Sequence, residues 1–595
     1  MNQWFIKNSY QKAMALQEKS KLSLFDCMLL ANRGVEEAKE AEDFLSPRLD
    51  QLHDPFLFED MALIVDAIFD CLDSSFPIRI IGDYDQDGVA ATSILVSGIR
   101  ILAKKMEKDP YLAVSYAIPN RVKDGYGINR RLVDQAIEEG VKLIITCDNG
   151  ISAFDALEYA KEQGMAVIIT DHHQFVMEEG KEIIPPCAGL LNPHHTSTAY
   201  PFHDLCGAGV AFKVIQALFQ AFGLDEKELI PFIALACLGT ICDLVPLNGE
   251  NRVLVYYGLK SLNEDPPAGI QKLLAFSSYH GEISSYTVGF MIGPCINASG
   301  RLMTARLGVE LFLEDDPELI ETYARELVKL NNERKEMTRE GEKIALQQIQ
   351  NDPHRGHILA LYLPTVHESL CGLIAGRMRD LFYLPTLIFT DAMENEGEEP
   401  LLKGSGRSIE SYNMFEQLSR RRKEYVHFGG HAMACGMTIR KKDFEKLKSL
   451  WNEDENLTKE DLIPKILLDG NLGLSKITAD RMDTIEKLKP FGMNNPRPLF
   501  GAKKVHVQKM RLVGAKKNVL QILVEEKGKK IQGVVFQPEH QLQLLEEFLG
   551  KEKLEQFLEG AFFPLTIDIC YSPEWNEYQG KKNLQIQIKD LRPTN

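Results

Sequence analysis

Between residues 76 and 245, short unbroken apolar runs alternate with longer helix-like stretches. "FPIRIIGD", "YLAVSYAIP", "VKLIITCDNG" and "MAVIITDHH" are rich in β-branched residues and show no in–out alternation, whereas "GVAATSILVSGIRILAKK" reads as a helix. Apolar strands separated by helices predict a mostly parallel sheet, doubly wound and covered on both faces. Residues 206–264 turn helical, and "LEDDPELIETYARELVKLNNERKEMTREGEKIALQQIQ" predicts a long connecting helix that ends before Pro353. A helix polar all round bridges domains. A smaller α/β unit follows, with strands "HILALYLP" and "LPTLIFT", then "LLKGSGRS" and a turn at "FGGHAMACGM". The end of the chain offers five strand candidates, "KKVHVQKMRLVG", "NVLQILVEE", "KKIQGVVF", "LTIDICYS" and "KNLQIQIKD", which predict an OB-like β-barrel. The expected domains are an N-terminal helical extension (1–60), the α/β sheet domain (61–264), a helical connector (265–352), the smaller α/β domain (353–455), and a helical segment plus barrel (456–595).

The stretch "DYDQDG", Asp83 to Gly88, sits at the end of the first of these strands. Asp83, Asp85 and Asp87 followed by Gly88 match the opening of an EF-hand loop. That loop needs a bidentate Glu at its twelfth position. Here the twelfth position is Ile94, and "IRII" in front is strand-like where an EF-hand has a helix, so calcium is excluded. An aspartyl-phosphate nucleophile motif is the second competitor, and only the other strand ends separate the two. "VKLIIT" ends in Cys147-Asp148-Asn149-Gly150, "MAVIIT" in Asp171-His172-His173, and the apolar run "LACLGTIC" in Asp243. A lone Asp after a strand is most often a helix cap or turn residue. Four such segments in one domain favour a metal centre. In an open α/β sheet, ligands gather at the carboxyl ends of the strands. Carboxylates with one or two imidazoles and no thiolate suit Mn²⁺ or Mg²⁺. So many carboxylates suit two ions about 3.5–4 Å apart, bridged by one of them.

Composition narrows the class. The chain has 595 residues, 44% hydrophobic and 26% charged, and no apolar run of membrane-spanning length. Its N-terminus, "MNQWFIKNSYQKAM", lacks the layout of a secretory signal. Eleven cysteines are scattered without a CxxC pair. They read as small buried hydrophobes kept reduced, so the expected location is cytoplasmic. The net charge of −17 argues against indiscriminate nucleic-acid binding, yet residues 501–531 carry nine Lys/Arg (Lys503 to Lys530) against Glu525 and Glu526.

In this order, the motifs at 83–88, 147–150, 171–173 and 242–243 resemble those of the DHH phosphoesterase superfamily. "GSGRS" and "FGGHAMACG" are similar to that superfamily's C-terminal substrate domain, DHHA1. With the N-terminal extension, "PNRVKDGYG" at 119–127, "NASGRL" at 297–302 and the barrel, nearly the whole chain resembles the RecJ family of bacterial exonucleases. The resemblance implies a single-stranded-DNA-specific 5′→3′ exonuclease that hydrolyses phosphodiester bonds in DNA repair and recombination, with two divalent metal ions, Mn²⁺ or Mg²⁺. It implies that Asp85 binds one ion, that Asp148 bridges both, and that Asp87, His172 and Asp243 hold the other. Asp83 and Asp171 then orient the ligands, and His173 contacts the scissile phosphate. Arg121, Ser405 and Arg407 would capture a terminal 5′-phosphate, the glycine-flanked Ser405 also offering backbone N–H groups. His431 would contact phosphate near the metals, and Arg301 would grip the DNA backbone. Cys295 stands where related sequences often have Arg. On the barrel, the basic patch beside Phe500, Phe536, Tyr571 and Trp575 would track and stack a single strand, with core packing expected for at least two of these aromatics. The implied partners are single-stranded DNA, a helicase and a single-strand-binding protein, for a monomer with no membrane contact. Polarity rests on the resemblance alone. The competing readings are a DHH phosphodiesterase for short oligonucleotides or cyclic dinucleotides and a non-catalytic DNA-binding scaffold.

Overall fold

The computed structural model describes residues 2–594 except 122–123, 353–355, 394–398, 515 and 579–580. Val122 and Lys123 of the 119–127 motif, and the expected domain start at 353, therefore lie outside the described residues. Contacts divide the chain into two compact units, Leu49–Ile463 and Met1–Arg48 with Pro464–Asn595.

The larger unit is built on a five-stranded sheet: β1 (Ile78–Ile81), β2 (Val114–Ala117), β3 (Leu143–Cys147), β4 (Ala166–Thr170) and β5 (Gly189–Leu191). Their order is β2-β1-β3-β4-β5 and every pairing is parallel. This is a doubly wound sheet whose strand order reverses between β1 and β3. Successive residues face opposite cores, as the unbroken apolar pattern requires. Ile78, Ile80, Leu143, Ile145 and Ile168 pack on one side, and Ile81, Ile144, Val167 and Ile169 on the other. Strand β5 was not among the predicted strands; its three residues are too few to carry a periodic signal.

Helices α1 (Gln86–Lys105), α2 (Gly207–Phe222) and α3 (Ile230–Cys242) cover the first side. α4 (Gly293–Leu302) completes a helical run that begins at Ser285 and passes through a π-helical turn at Val288–Ile292. α5 (Pro317–Asn351) is the long connecting helix. It is not polar all round. Ile320, Ala324 and Leu327 join the core beneath the sheet, while Ala345 and Ile349 join the core of the smaller α/β element. Two short apolar stripes on one polar rod let it bridge both cores.

The smaller sheet has order β9-β10-β8-β7-β6, from β6 (Leu359–Tyr362), β7 (Thr386–Asp391), β8 (Leu401–Arg407), β9 (His427–His431) and β10 (Ala434–Arg440). Helix α6 (Cys371–Phe382) lies between β6 and β7 in the chain. Gly404 to Arg407 of "GSGRS" are ladder residues of this sheet, and the turn expected at "FGGHAMACGM" is the hairpin turn at Ala432–Met433 between β9 and β10. Gly404 and Gly406 are required by packing, since a Cβ on Gly404 would lie 2.3 Å from Phe389 and one on Gly406 2.5 Å from the Met414 sulfur.

In the other unit, β11 (Phe500–Val513), β12 (Val519–Glu526), β13 (Lys529–Phe536), β14 (Thr566–Tyr578) and β15 (Lys581–Thr594) close into a barrel, because β11 pairs with both β12 and β14. The expected extension 1–60 does not stand apart: Gln3–Ile6 is a strand that pairs in parallel with Lys465–Leu468, and Leu16, Leu29 and Phe44 share the barrel's core. Among the described residues no helix is long and apolar enough to cross a membrane. All eleven cysteines are free, most of them buried.

One buried ion pair braces the larger unit. Lys213 Nζ lies 2.5 Å from Glu250 Oε1 with both side chains fully buried, and Glu250 also accepts from His53 N and the Tyr200 hydroxyl. Breaking a buried pair leaves an uncompensated charge at a cost of about 3–5 kcal/mol. Lys213→Met is therefore expected to lower the unfolding free energy by that amount, read as a lower urea midpoint, and Lys213→Met/Glu250→Leu to recover part of it; an unchanged midpoint in the single variant would contradict the account.

Candidate metal centre

The predicted ligands converge at the switch point, each placed by the end of a different element. Asp83 and Asp85 follow β1, Asp148 follows β3, Asp171 to His173 follow β4, and Asp243 caps the C-terminus of α3. Asp85 is also the N-cap of α1, its Oδ1 accepting from Asp87 N at 2.9 Å and Gly88 N at 3.2 Å, so the bland cap reading and the ligand reading hold together. Asp87, in the first turn of α1, seats both oxygens on the N-terminus of α2, accepting from Gly207 N at 2.6 Å and Ala208 N at 2.9 Å. That approach is close. A Cβ on Gly239 would lie 2.3 Å from Asp87 Oδ1 and one on Gly207 2.5 Å from Asp148 Cβ. Asp148 itself is left-handed, with φ 60°.

Three overlapping groups offer ligand atoms within 4.8 Å of one another: Asp83, Asp85 and Asp148; Asp87, His172 and Asp243; and Asp148, His172 and His173. Asp148 Oδ1 and His172 Nε2 are 3.0 Å apart, shared between the groups. Asp171 is different in kind. Its Oδ1 accepts from His172 N, His173 N and His173 Nδ1 (2.7, 3.1 and 2.8 Å) and its Oδ2 from Ile151 N (3.0 Å), so its oxygens are taken up by the histidine segment and Ile151. Asp83, expected only to orient, is brought within ligand distance, and its Oδ1 is buried without a partner.

The electrostatics follow from burying like charges together. Burial, then neighbouring carboxylates, pushes Asp83 and Asp148 well above the usual range, Asp87 to about 6 and Asp243 to about 8. Burial and the His173 charge push His172 down to about 3, so its imidazole is neutral. Burial acts against the charge of His173 too, but its bond to Asp171 lifts it to about 9 and keeps it cationic.

Beside the carboxylates lies a cationic cluster. Burial, and after it the nearby charges of Arg121, Arg334 and Arg407, lowers Arg301 to about 10, with Asp85 opposing them. Among the described residues none of these four arginines forms an ion pair within 4.0 Å. Arg121 lies over the Tyr84 ring at 4.8 Å, and Arg301 Nη1 donates to Ser369 O at 2.7 Å. "NASGRL" is anchored by Asn297 Oδ1, which accepts from Gln86 N at 2.7 Å, and by Gly300, where a Cβ would lie 2.4 Å from Tyr84 O. Ser405 and Arg407 point from the same face of β8, in register with Gly436–Gly429 and Ala434–His431. A Cβ at Gly429 or Gly436 would meet nothing within 4 Å, so this face is open. Backbone N–H groups of "GSGRS" are engaged in the ladder with β7 and β10, which leaves side chains, not the expected backbone donors, for a ligand.

Sequence reasoning missed three residues. Tyr126 donates to Asp148 O at 2.7 Å and lies 3.2 Å from the His173 ring nitrogens. Asn297 and Arg334 carried no local signal; Arg334 is held by Asn331 Oδ1, and Asn331 in turn contacts Cys295, which is buried rather than facing the site. On the barrel, Lys503, Lys504, Lys509 and Arg511 are exposed while Phe500 and Tyr571 are core residues, as expected for two of the aromatics; Phe536 is 54% exposed.

The donor set fits divalent cations. Asp83 Oδ1, Asp148 Oδ1 and His172 Nε2 are buried without a hydrogen-bond partner, and elevated carboxylate pKa values mark negative charge that awaits compensation. A doubly wound sheet with Asp and His ligands at its switch point is the architecture of a DHH phosphoesterase, and residues 77–240 match the DHH family N-terminal domain. Residues 468–590 match the RecJ OB domain. The chain is 33% identical to the single-stranded-DNA-specific exonuclease RecJ of Bacillus subtilis over 99% of this chain and 70% of that protein. It is 30% identical to that of Haemophilus influenzae over 94% and 95% of the two chains. The Thermus thermophilus RecJ structure in complex with Mn²⁺ superposes with TM-score 0.79 at 24% identity, covering 100% of this chain and 79% of that one. This chain belongs to the RecJ family.

Without metal, Asp87 and Asp243 titrate above the 3.8 of a free carboxyl. The folded state then binds more protons than the unfolded state, so stability present below about pH 4 is lost as pH rises toward about 8. In chelator the Tm is expected to fall across that window, and Mn²⁺ to raise it most at the upper end. A chelated Tm that rises or stays flat would contradict this assignment.

Proposed function

We propose that this chain is a single-stranded-DNA-specific exonuclease that degrades strands from a 5′ end. The observation that carries the reading is two ligand groups, Asp83/Asp85/Asp148 and Asp87/His172/Asp243, linked by a third that contains Asp148 and His172, beside four arginines without an ion-pair partner among the described residues. Asp83, Asp85 and Asp148 would hold one divalent ion, and Asp87, His172 and Asp243, with Asp148 shared, the other. Mn²⁺ or Mg²⁺ held there supplies Lewis acidity toward the phosphate and toward an attacking water. The protein's own groups do the rest. Saturated Asp171 fixes both histidines, and cationic His173 donates to an oxygen of the scissile phosphate. Arg301 grips the backbone, while Arg121, Ser405 and Arg407 bind a terminal 5′-phosphate and His431 faces the same open sheet surface. Capturing the terminal phosphate at a fixed place beside the ligands sets both the polarity and the requirement for an end. The matched OB domain supports single strands longer than dinucleotides. Reduced cysteines support a cytoplasmic protein, working as a monomer on strands that a helicase opens and a single-strand-binding protein coats.

Digestion of 5′- and 3′-labelled single strands with Mn²⁺ and with Mg²⁺, beside a duplex control, tests the reading; duplex cleavage at equal rate, or release starting at the 3′ end, overturns it. Asp148→Ala is expected to abolish cleavage while strand binding survives. Arg407→Ala should weaken the preference for a 5′-phosphate about tenfold or more, as loss of a charge-assisted bidentate bond predicts. Replacing Lys503, Lys504, Lys509 and Arg511 should weaken binding and flatten its salt dependence, whereas an unchanged slope would mean that these side chains are merely solvated.

A further inference from the structure

The helical run Ser285–Leu302 carries more than Arg301 and Asn297. Tyr286 and Phe290 lie on it, 67% and 66% exposed, with ring centroids 4.7 Å apart and planes at 22°. Rings of this size rarely stand in water as a stacked pair with nothing above them. Within each pair, Tyr286 with Phe290 and Asn297 with Arg301, the spacing of four positions keeps the two side chains on one face of the run. The π-helical turn at Val288–Ile292 lies between the two pairs, and such turns concentrate at functional sites.

That run leads to the metal centre. At its inner end Asn297 holds the first residue of α1 and Arg301 stands among the arginines. At its outer end the π-helical turn packs on the last turn of α3: the Cys242 thiol lies 4.0 Å from Val288 O, and a Cβ on Gly289 would lie 3.7 Å from Ile241 Cγ2. Cys242 immediately precedes the ligand Asp243. Next in the chain comes Leu244, 64% exposed and held at φ 60°. A bulky side chain in the left-handed region is strained, and strain of this kind clusters at functional sites. At about 1.5 Å per residue, Phe290 lies roughly 16 Å along the run from Arg301, a few nucleotides away.

We infer that Tyr286 and Phe290 form a stacking platform for bases of the single strand a few nucleotides from the scissile phosphate. The inference rests on the proposed nuclease reading and adds to it a subsite that reads bases, not phosphates. Every base has a π face, so the platform binds without sequence preference, and it admits unpaired bases only, since both faces of a base inside a duplex are already covered. It also supplies grip where charge is ill suited: beside a cluster of carboxylates, rings hold nucleotides without adding cations that would compete with the bound metal.

The test compares the parent with Tyr286→Ala/Phe290→Ala and with the ring-retaining Tyr286→Phe, on 5′-phosphorylated single strands with Mn²⁺. The first variant is expected to raise KM about tenfold or more with kcat little changed, to leave the salt slope of binding unaltered, and to lose quenching of a 2-aminopurine base placed near the 5′ end. Tyr286→Phe should behave as the parent. On a strand with abasic positions at those nucleotides, parent and variant should become alike. An unchanged KM on normal strands, or the same KM penalty on abasic strands, overturns the platform. If the double variant fails to fold, Phe290→Leu carries the same comparison. Failure of the parent to degrade single strands would instead strike the nuclease reading itself.

Discussion

Six carboxylates delivered to one place repel one another, and most of the structure around the site answers that repulsion. Asp87 spends both oxygens on the N-terminus of α2, where backbone N–H groups and the helix dipole offset its charge. Asp85 leans on the first turn of its own helix, and Asp171 is neutralised in effect by His173. What is left, chiefly on Asp83, Asp148 and Asp243, is too much negative charge for any of these devices. The site is a fold-encoded deficit of positive charge. Divalent ions fill it, and the parallel sheet is what keeps the carboxylates from moving apart when they are absent. A loop-borne site would relax; one whose ligands end separate central strands does not.

The same logic runs in reverse on the neighbouring face. Arg301, Arg121, Arg334 and Arg407 repel one another as the carboxylates do, so the site presents an excess of each sign side by side. A phosphodiester strand suits such a surface, its anionic oxygens meeting arginines on one side and metal on the other. Beside Ser405 and Arg407, Gly429 of β9 and Gly436 of β10 leave the sheet face open, which lets a backbone lie close without side chains in the way.

Much of this was written locally in the chain. The unbroken apolar strands gave the parallel sheet, and the Asp and His residues after three strands and one helix gave the candidate ligands, because element ends and the residues after them are adjacent in sequence. What stayed hidden depends on register or distance. The glycines of "GSGRS" read as freeing backbone N–H groups for a phosphate, yet here Gly404 and Gly406 are glycines because Phe389 and Met414 crowd that face of a strand. Asn297 and Arg334 earn their places only through contacts with Gln86 and Asn331 on other elements. Asp83 was set aside as support because its position in the motif matched an orienting role, and nothing in the sequence reveals that its oxygen is buried without a partner.

The pairing of Gln3–Ile6 with Lys465–Leu468 has a consequence in time. The first 48 residues belong to a unit whose other part begins at Pro464, so about 415 residues are synthesised between the two. At 5–20 residues per second the ribosome takes on the order of 20–80 s to span that gap. Throughout it Leu16, Leu29 and Phe44 have no core to enter, while the whole of Leu49–Ile463 can emerge and fold. The nascent protein therefore owns its chemical centre before it owns its barrel, and its opening helices are the part most in need of a chaperone's cover.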